Sequence, residues 1–253
     1  MPQQLRLRIE GTGSPLVLLH GWGLNSGVFD QLVAQLSQHF SCYLIDLPGF
    51  GENADIPLTT LEAAAQHIAE VIPDAALVLG WSMGGLVATE LALTYPNKVS
   101  KLVTVASSPM FVAQEAWAGI APKVLRLFES QLAHDYSTTL QRFLAIQAMG
   151  SPSAKSDILA LKKSIQAYPD PCEASLLVGL KWLSEIDLRP RLKDIKQPTL
   201  RMYGRLDALV PHAVIAEIHA LHPNAESYVF EHVSHAPFMT QLDEFVEQLT
   251  KFF

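Results

Sequence analysis

Over its first 110 residues the chain switches between two hydrophobic rhythms. Short apolar runs at Leu5–Ile9, Leu16–Leu19, Cys42–Ile45, Ala76–Leu79 and Leu102–Val105 predict strands. The later runs are continuous in Val, Ile and Leu rather than alternating, as expected of strands covered on both faces. Between them a 3.6-residue spacing predicts helices at Gly27–Gln38, Thr60–Val71 and Gly84–Tyr95, the last stopped by Pro96. Strand–helix alternation of this kind builds an α/β fold with a doubly wound, mostly parallel sheet and right-handed crossovers.

From Phe111 the strand rhythm disappears. Leu140, Phe143, Leu144 and Gln147-Ala148 fall on one helical face, and Ile158, Leu161 and Ile165 on another. Breaks occur at Gly150-Ser151-Pro152 and Pro169-Asp170-Pro171. Residues 111–186 therefore form an expected all-helical insertion within a core made of 1–110 and 187–253. Alternation returns with a strand at Thr199–Tyr203, a helix near Ala213–Leu221, a strand at Ser227–Phe230 and a final helix from Leu242.

Composition narrows the setting. With 253 residues and 49% hydrophobic positions the chain can bury a large core, yet no apolar run reaches the length of a membrane span. Its start, Met-Pro-Gln-Gln-Leu-Arg-Leu-Arg-Ile-Glu, alternates like a strand and lacks the apolar centre of a signal peptide. Cys42 and Cys172 make no disulfide framework, and a cytoplasmic location is expected. A net charge of −7 argues against nucleic acid as a partner. Within residues 123–163, however, Lys123, Arg126, Arg142, Lys155, Lys162 and Lys163 outnumber Glu129, Asp135 and Asp157. Such a stretch suits either a solvated helix surface or an acidic partner.

The chemistry is concentrated in Gly80-Trp81-Ser82-Met83-Gly84-Gly85, which follows the run Ala75–Leu79. A buried strand ending in Gly-x-Ser-x-Gly before a helix is a nucleophile elbow, whose tight turn needs small residues two positions either side of the serine. A serine hydroxyl needs a base to take its proton and an acid to orient that base. His235, in Val233-Ser234-His235-Ala236-Pro237-Phe238 after the last strand, is placed for the base. His232, close to the same strand end, stays as the alternative base, whereas His39, His67, His212, His219 and His222 lie in or near helices. Asp207, in Gly204-Arg205-Leu206-Asp207, follows the Thr199–Tyr203 strand, whereas Asp187 and Asp194 precede it. The backbone N–H groups of Met83 and of Trp22, in His20-Gly21-Trp22-Gly23, are the expected oxyanion donors. Taken by itself, Phe143 is a core-facing aromatic.

Together these motifs, with Asp46-Leu47-Pro48-Gly49-Phe50-Gly51, resemble the α/β-hydrolase superfamily. His20–Asn25, Thr104–Pro109, Arg142–Gln147 and Ala160–Lys163 extend the likeness to its pimeloyl-[acyl-carrier protein] methyl ester esterase family. That resemblance implies a four-helix cap, a monomer and a serine esterase that needs no cofactor or metal. It also implies substrate contacts at Trp22, Ser82, Met83, Phe143, Leu144, Ala145, Ile146, Gln147 and His235. The acidic acyl carrier protein would be the partner, docked on Arg142, Lys155, Lys162 and Lys163. A broad short-chain carboxylesterase or a carbon–carbon bond hydrolase would use the same triad.

Overall fold

Seven strands form one sheet in the order β1-β3-β2-β4-β5-β6-β7. They are β1 (Leu7–Glu10), β2 (Ser14–Leu19), β3 (Phe40–Ile45), β4 (Ala76–Trp81), β5 (Val99–Val105), β6 (Thr199–Gly204) and β7 (Glu226–Phe230). Among the described residues of this sheet only β1 runs antiparallel to its neighbour, and the other pairings are parallel. The computed structural model describes residues 4–132, 134–151 and 154–253, and only the backbone at Ser164 and Ile165. Pro152 and the side chain of Ile165, both used in reading the insertion, lie outside what is described.

Alternation along each strand feeds two cores. In β4, Ala76 and Val78 enter the core on one face, and Leu77, Leu79 and Trp81 the core on the other. α2 (Leu61–Val71) and α3 (Met83–Thr94) cover the first face, while α1 (Asp30–Leu36) and α10 (Leu242–Phe252) cover the second. α3 is buried over almost its whole length, as a helix trapped between the sheet, α2 and the loops must be.

Between β5 and β6 the chain forms α4 (Pro122–Leu132), α5 (Tyr136–Gln147), α6 (Ala154–Gln166) and α7 (Glu173–Glu185). Residues 111–121 differ from the all-helical expectation. They form a small closed loop, with a parallel bridge Val112↔Ile120 and an antiparallel bridge Gln114↔Trp117. Trp117 Nε1 donates to Met110 O at 2.8 Å, and Gly119 lies so close to Phe111 O that a side chain would not fit there. α8 (Ile215–Leu221) and the short α9 (Pro237–Thr240) complete the fold. The expected helix at Gly27–Gln38 also divides. A 3₁₀ turn at Ser26–Phe29 precedes α1, because Asn25 Oδ1 and Asp46 Oδ1 take the Gly27 and Ser26 amides and tighten the first turn. Among the described residues no helix is long and apolar enough to cross a membrane.

Candidate active site

β4 delivers Ser82 on a backbone turn with φ 54° and ψ −121°, a region in which side chains cost of order 1–3 kcal/mol. The turn is over-determined by its neighbours. Ser82 N–H donates to Val105 O at 2.8 Å, and Gly85 N–H donates to Ser82 O at 2.9 Å. A Cβ at Gly80 would lie 2.2 Å from Gly84 O, and one at Gly84 would lie 2.3 Å from Leu19 O. Only glycine fits at those two positions, so the pentapeptide spacing is a packing requirement of the elbow.

The loop after β7 brings His235 to this turn. His235 Nε2 lies 2.9 Å from Ser82 Oγ, and Nδ1 lies 2.7 Å from Asp207 Oδ2. All three side chains are buried; His235 has no exposed surface and Ser82 retains 2%. Asp207 is fixed through its other oxygen, which accepts from the Leu209 and Val210 amides at 2.8 and 3.0 Å. The backbone of His235 is anchored as well: its carbonyl accepts from Trp81 Nε1 at 2.8 Å, and its N–H donates to Gln147 O at 3.2 Å. Ser234 Oγ donates to Gln147 O and Met149 O, tying the same loop to the end of α5. Trp81 and Ser234 were not among the expected site residues. Trp81 carries the one usable signal, an indole N–H in a buried strand that must find an acceptor.

Opposite the imidazole, the loop after β2 closes on the serine. A Cβ at Gly21 would sit 3.2 Å from Ser82 Cβ, so this loop lies directly against the hydroxyl. His20 holds the loop rather than joining the row at Ser82. Its Nδ1 is 2.8 Å from Gly21 O, and its Nε2 accepts from Leu47 N at 2.9 Å. Burial lowers the His20 pKa, which keeps the ring neutral and able to accept. Among the described residues the Trp22 and Met83 amides have no protein acceptor. Two donors beside a nucleophile are what a developing oxyanion requires.

Helices α5 and α7 roof the site. The Phe143 ring meets Trp22 edge-on at 4.7 Å, and Trp22 Nε1 donates to Leu176 O at 2.9 Å. Phe111 shares that core, whereas Leu24 packs in the opposite one, with Val28 and Leu144. Within Phe143–Gln147, Phe143 and Gln147 are buried one turn apart; Ile146 is half-buried and Ala145 is exposed. Gln147 keeps both amide atoms buried and unpartnered.

The basic residues are less united than the rest. Arg142 is exposed on α5 and donates to Gln131 Oε1 at 2.7 Å. Lys155 and Lys162 stand two turns apart on α6. Lys162 lines a groove with Leu140 and Leu144, while Lys163 lines a different one with Gly27 and Val28.

Residues 14–242 match the family model for the alpha/beta hydrolase fold. The chain is 48% identical over 252 residues to the pimeloyl-[acyl-carrier protein] methyl ester esterase of Vibrio cholerae, covering 100% of this chain and 99% of that protein. It is 46% identical over the same length to the protein of that name from Photobacterium profundum. Among solved structures it is similar to an esterase from Exiguobacterium antarcticum, with a TM-score of 0.88, 25% identity, and 98% and 94% of the two chains covered. An enol-lactonase from Burkholderia xenovorans shares the fold, with a TM-score of 0.84 at 20% identity over 98% and 95% of the chains. The chain belongs to the alpha/beta hydrolase family, in the branch that holds these carrier-protein methyl ester esterases.

Proposed function

We propose that this protein is a serine carboxylesterase that cleaves the methyl ester of a pimeloyl chain carried on acyl carrier protein, in biotin synthesis. The observation that carries the reading is the hydrogen-bonded row Ser82–His235–Asp207. His235 Nε2 takes the Ser82 proton as Oγ attacks the ester carbonyl, and Asp207 holds the Nδ1 proton on its far side. The carbonyl oxygen becomes anionic and rests on the Trp22 and Met83 amides. Methanol departs with the proton from His235. A water molecule, deprotonated by the same imidazole, then hydrolyses the acyl-Ser82 bond and frees the carboxylate. This cycle needs neither metal nor cofactor.

The substrate class is supported by the near-full-length likeness to the Vibrio protein and by the apolar surround of Trp22, Phe143 and Phe111, which suits a methylene chain. Gln147 offers a buried amide to a polar group on the acyl chain or its linker. A groove of about 200 Å³ between α5 and α6 is lined by Tyr136, Leu140, Leu144 and Lys162. Leu140 in turn rests on Gly23, beside the Trp22 loop. With Ser82 closed off, a carrier-linked chain enters by displacing this cap edge, while Arg142, Lys155, Lys162 and Lys163 attract the acidic carrier. The enzyme acts as a cytoplasmic monomer.

The test is methanol release from a carrier-bound pimeloyl methyl ester. The native chain should turn it over, and Ser82→Ala should lose at least ~10³-fold in kcat. Full activity in Ser82→Ala, or turnover of short acyl esters but never of the carrier-bound ester, would overturn the reading.

A further inference from the structure

β6 carries a charge into the interior at a place the esterase chemistry does not use. Arg201 is only 4% exposed. Its Nη2 lies 2.8 Å from His222 Nδ1, and burial pulls the His222 pKa down to about 4. That ring is therefore neutral at neutral pH and accepts the bond. Arg201 Nη1 is buried with no partner, and so is the Tyr203 hydroxyl on the same face of the strand. Among the described residues no carboxylate offsets the guanidinium; beyond burial, Tyr203 acts on its charge. Burial lowers the Arg201 pKa, but an arginine in a protein stays protonated. A buried cation is normally paired, because leaving it alone costs several kcal/mol.

Arg201 lines a small, partly open cavity of about 20 Å³ between β5, β6, α3, α8 and the segment Leu192–Ile195. That is room for one water molecule or one ion of similar size. No acidic residue lines it. Around it, the Thr89, Ser108 and Thr199 hydroxyls donate to the carbonyls of Gly85, Met110 and Gln197. The Thr104 and Ser107 hydroxyls, which also line it, have no partner among the described residues. Three free donors, one of them charged, thus border a space that contains no negative group.

We propose that this cavity is a binding site for one small monovalent anion of the halide class, held by Arg201 Nη1 with the Thr104 and Ser107 hydroxyls. Water would satisfy the hydrogen bonds and leave the charge uncompensated. A phosphate or carboxylate is too large for the space. A halide meets both demands. Ser107 Oγ also packs against Gly85, whose N–H bonds Ser82 O, so the anion sits behind the first turn of α3 and braces the fold there.

Thermal unfolding in sodium chloride and in sodium gluconate at equal ionic strength tests this, together with crystals grown in sodium bromide. Expected is a Tm about 5 °C higher once chloride exceeds its dissociation constant a hundredfold. An anomalous bromide peak within hydrogen-bond reach of Arg201 Nη1 should accompany it. Arg201→Met should remove both signals. Should that variant not fold, Thr104→Val with Ser107→Ala should move the chloride midpoint up at least tenfold. A Tm indifferent to chloride overturns the proposal, as does a water with no bromide peak, or a peak in crystals with no response in solution.

Discussion

Gly179 tests whether the roof of the site fixes the Trp22 loop, the proposed source of one oxyanion donor. It lies in the middle of α7, and a Cβ there would be 2.5 Å from Trp22 Cδ1, 3.0 Å from Nε1 and 3.1 Å from Met83 Sδ. Ordinary carbon contacts need about 3.5–4.0 Å, so Gly179→Ala asks for a shift of roughly 1 Å. The indole cannot rotate away freely, because Nε1 is bound to Leu176 O and the ring is held by Phe143. The movement must pass either into the Trp22 backbone or into α7. Alanine favours the helix over glycine by ~1 kcal/mol, while overpacking a core costs about 1–3 kcal/mol. The stability change should therefore be small, of order 0–2 kcal/mol of loss. Activity should change more. Removing one oxyanion donor costs ~10²–10³ in kcat, so misplacing one by a good part of 1 Å should cost roughly 10–100-fold. The assay is kcat and KM on a soluble chromogenic ester, with Tm measured on the same preparation. A lowered kcat with near-native KM and Tm is expected. If kcat stays within twofold while Tm falls, α7 has absorbed the clash, and the claim that this helix positions Trp22 is refuted.

Reversing charge at Arg142 and Lys162 together should lower kcat/KM about 10–100-fold for the carrier-bound ester and leave a free pimeloyl methyl ester unchanged. Equal slowing of both substrates would remove the docking role. His222 gives a pH prediction whose sign follows from its depressed pKa of about 4, against 6.5 when unfolded. Between those values the unfolded chain binds more protons, so stability is fully present above about pH 6.5 and drains away as the pH falls towards 4. The buried His20 acts in the same direction. Denaturant titrations should show this loss as roughly 2 kcal/mol, with a shallower slope in His222→Gln. An unchanged slope would show that His222 does not titrate as described.

The strands were legible because burial on both faces writes itself as unbroken Val, Ile and Leu. Their ends were not. β2 begins at Ser14-Pro15, which pair with β3, and β5 at Val99, after which the register shifts at Ser100 before Lys101 pairs with β4; these polar and proline positions read as loop. Lys101 is tolerated there because its ammonium reaches the Phe252 carbonyl, a contact 151 residues away. The row at Ser82 was legible for a different reason. Ser82, Asp207 and His235 each follow a strand, and a parallel sheet gathers the carboxyl ends of its strands along one edge. Such a rule fixes which end of an element a residue occupies, and says nothing of what leans on it from another layer.

Gly179 and Arg201 lie in that blind region. In sequence, a glycine inside a helix is only a weak point, and its meaning comes from the Trp22 indole that α7 must pass. An arginine within Thr-Leu-Arg-Met-Tyr reads as one polar interruption of a strand. The significance comes from β5, α3 and α8, which bury it beside a cavity whose lining holds no carboxylate. Both residues violate a local preference, helix propensity in one case and apolar burial in the other. In a chain whose other elements follow those preferences closely, the violations mark where a second layer sets the choice of residue. At Gly179 that layer is the roof over the Trp22 loop, and at Arg201 it is the cavity behind the elbow. Each therefore belongs in the same set of measurements as Ser82 itself.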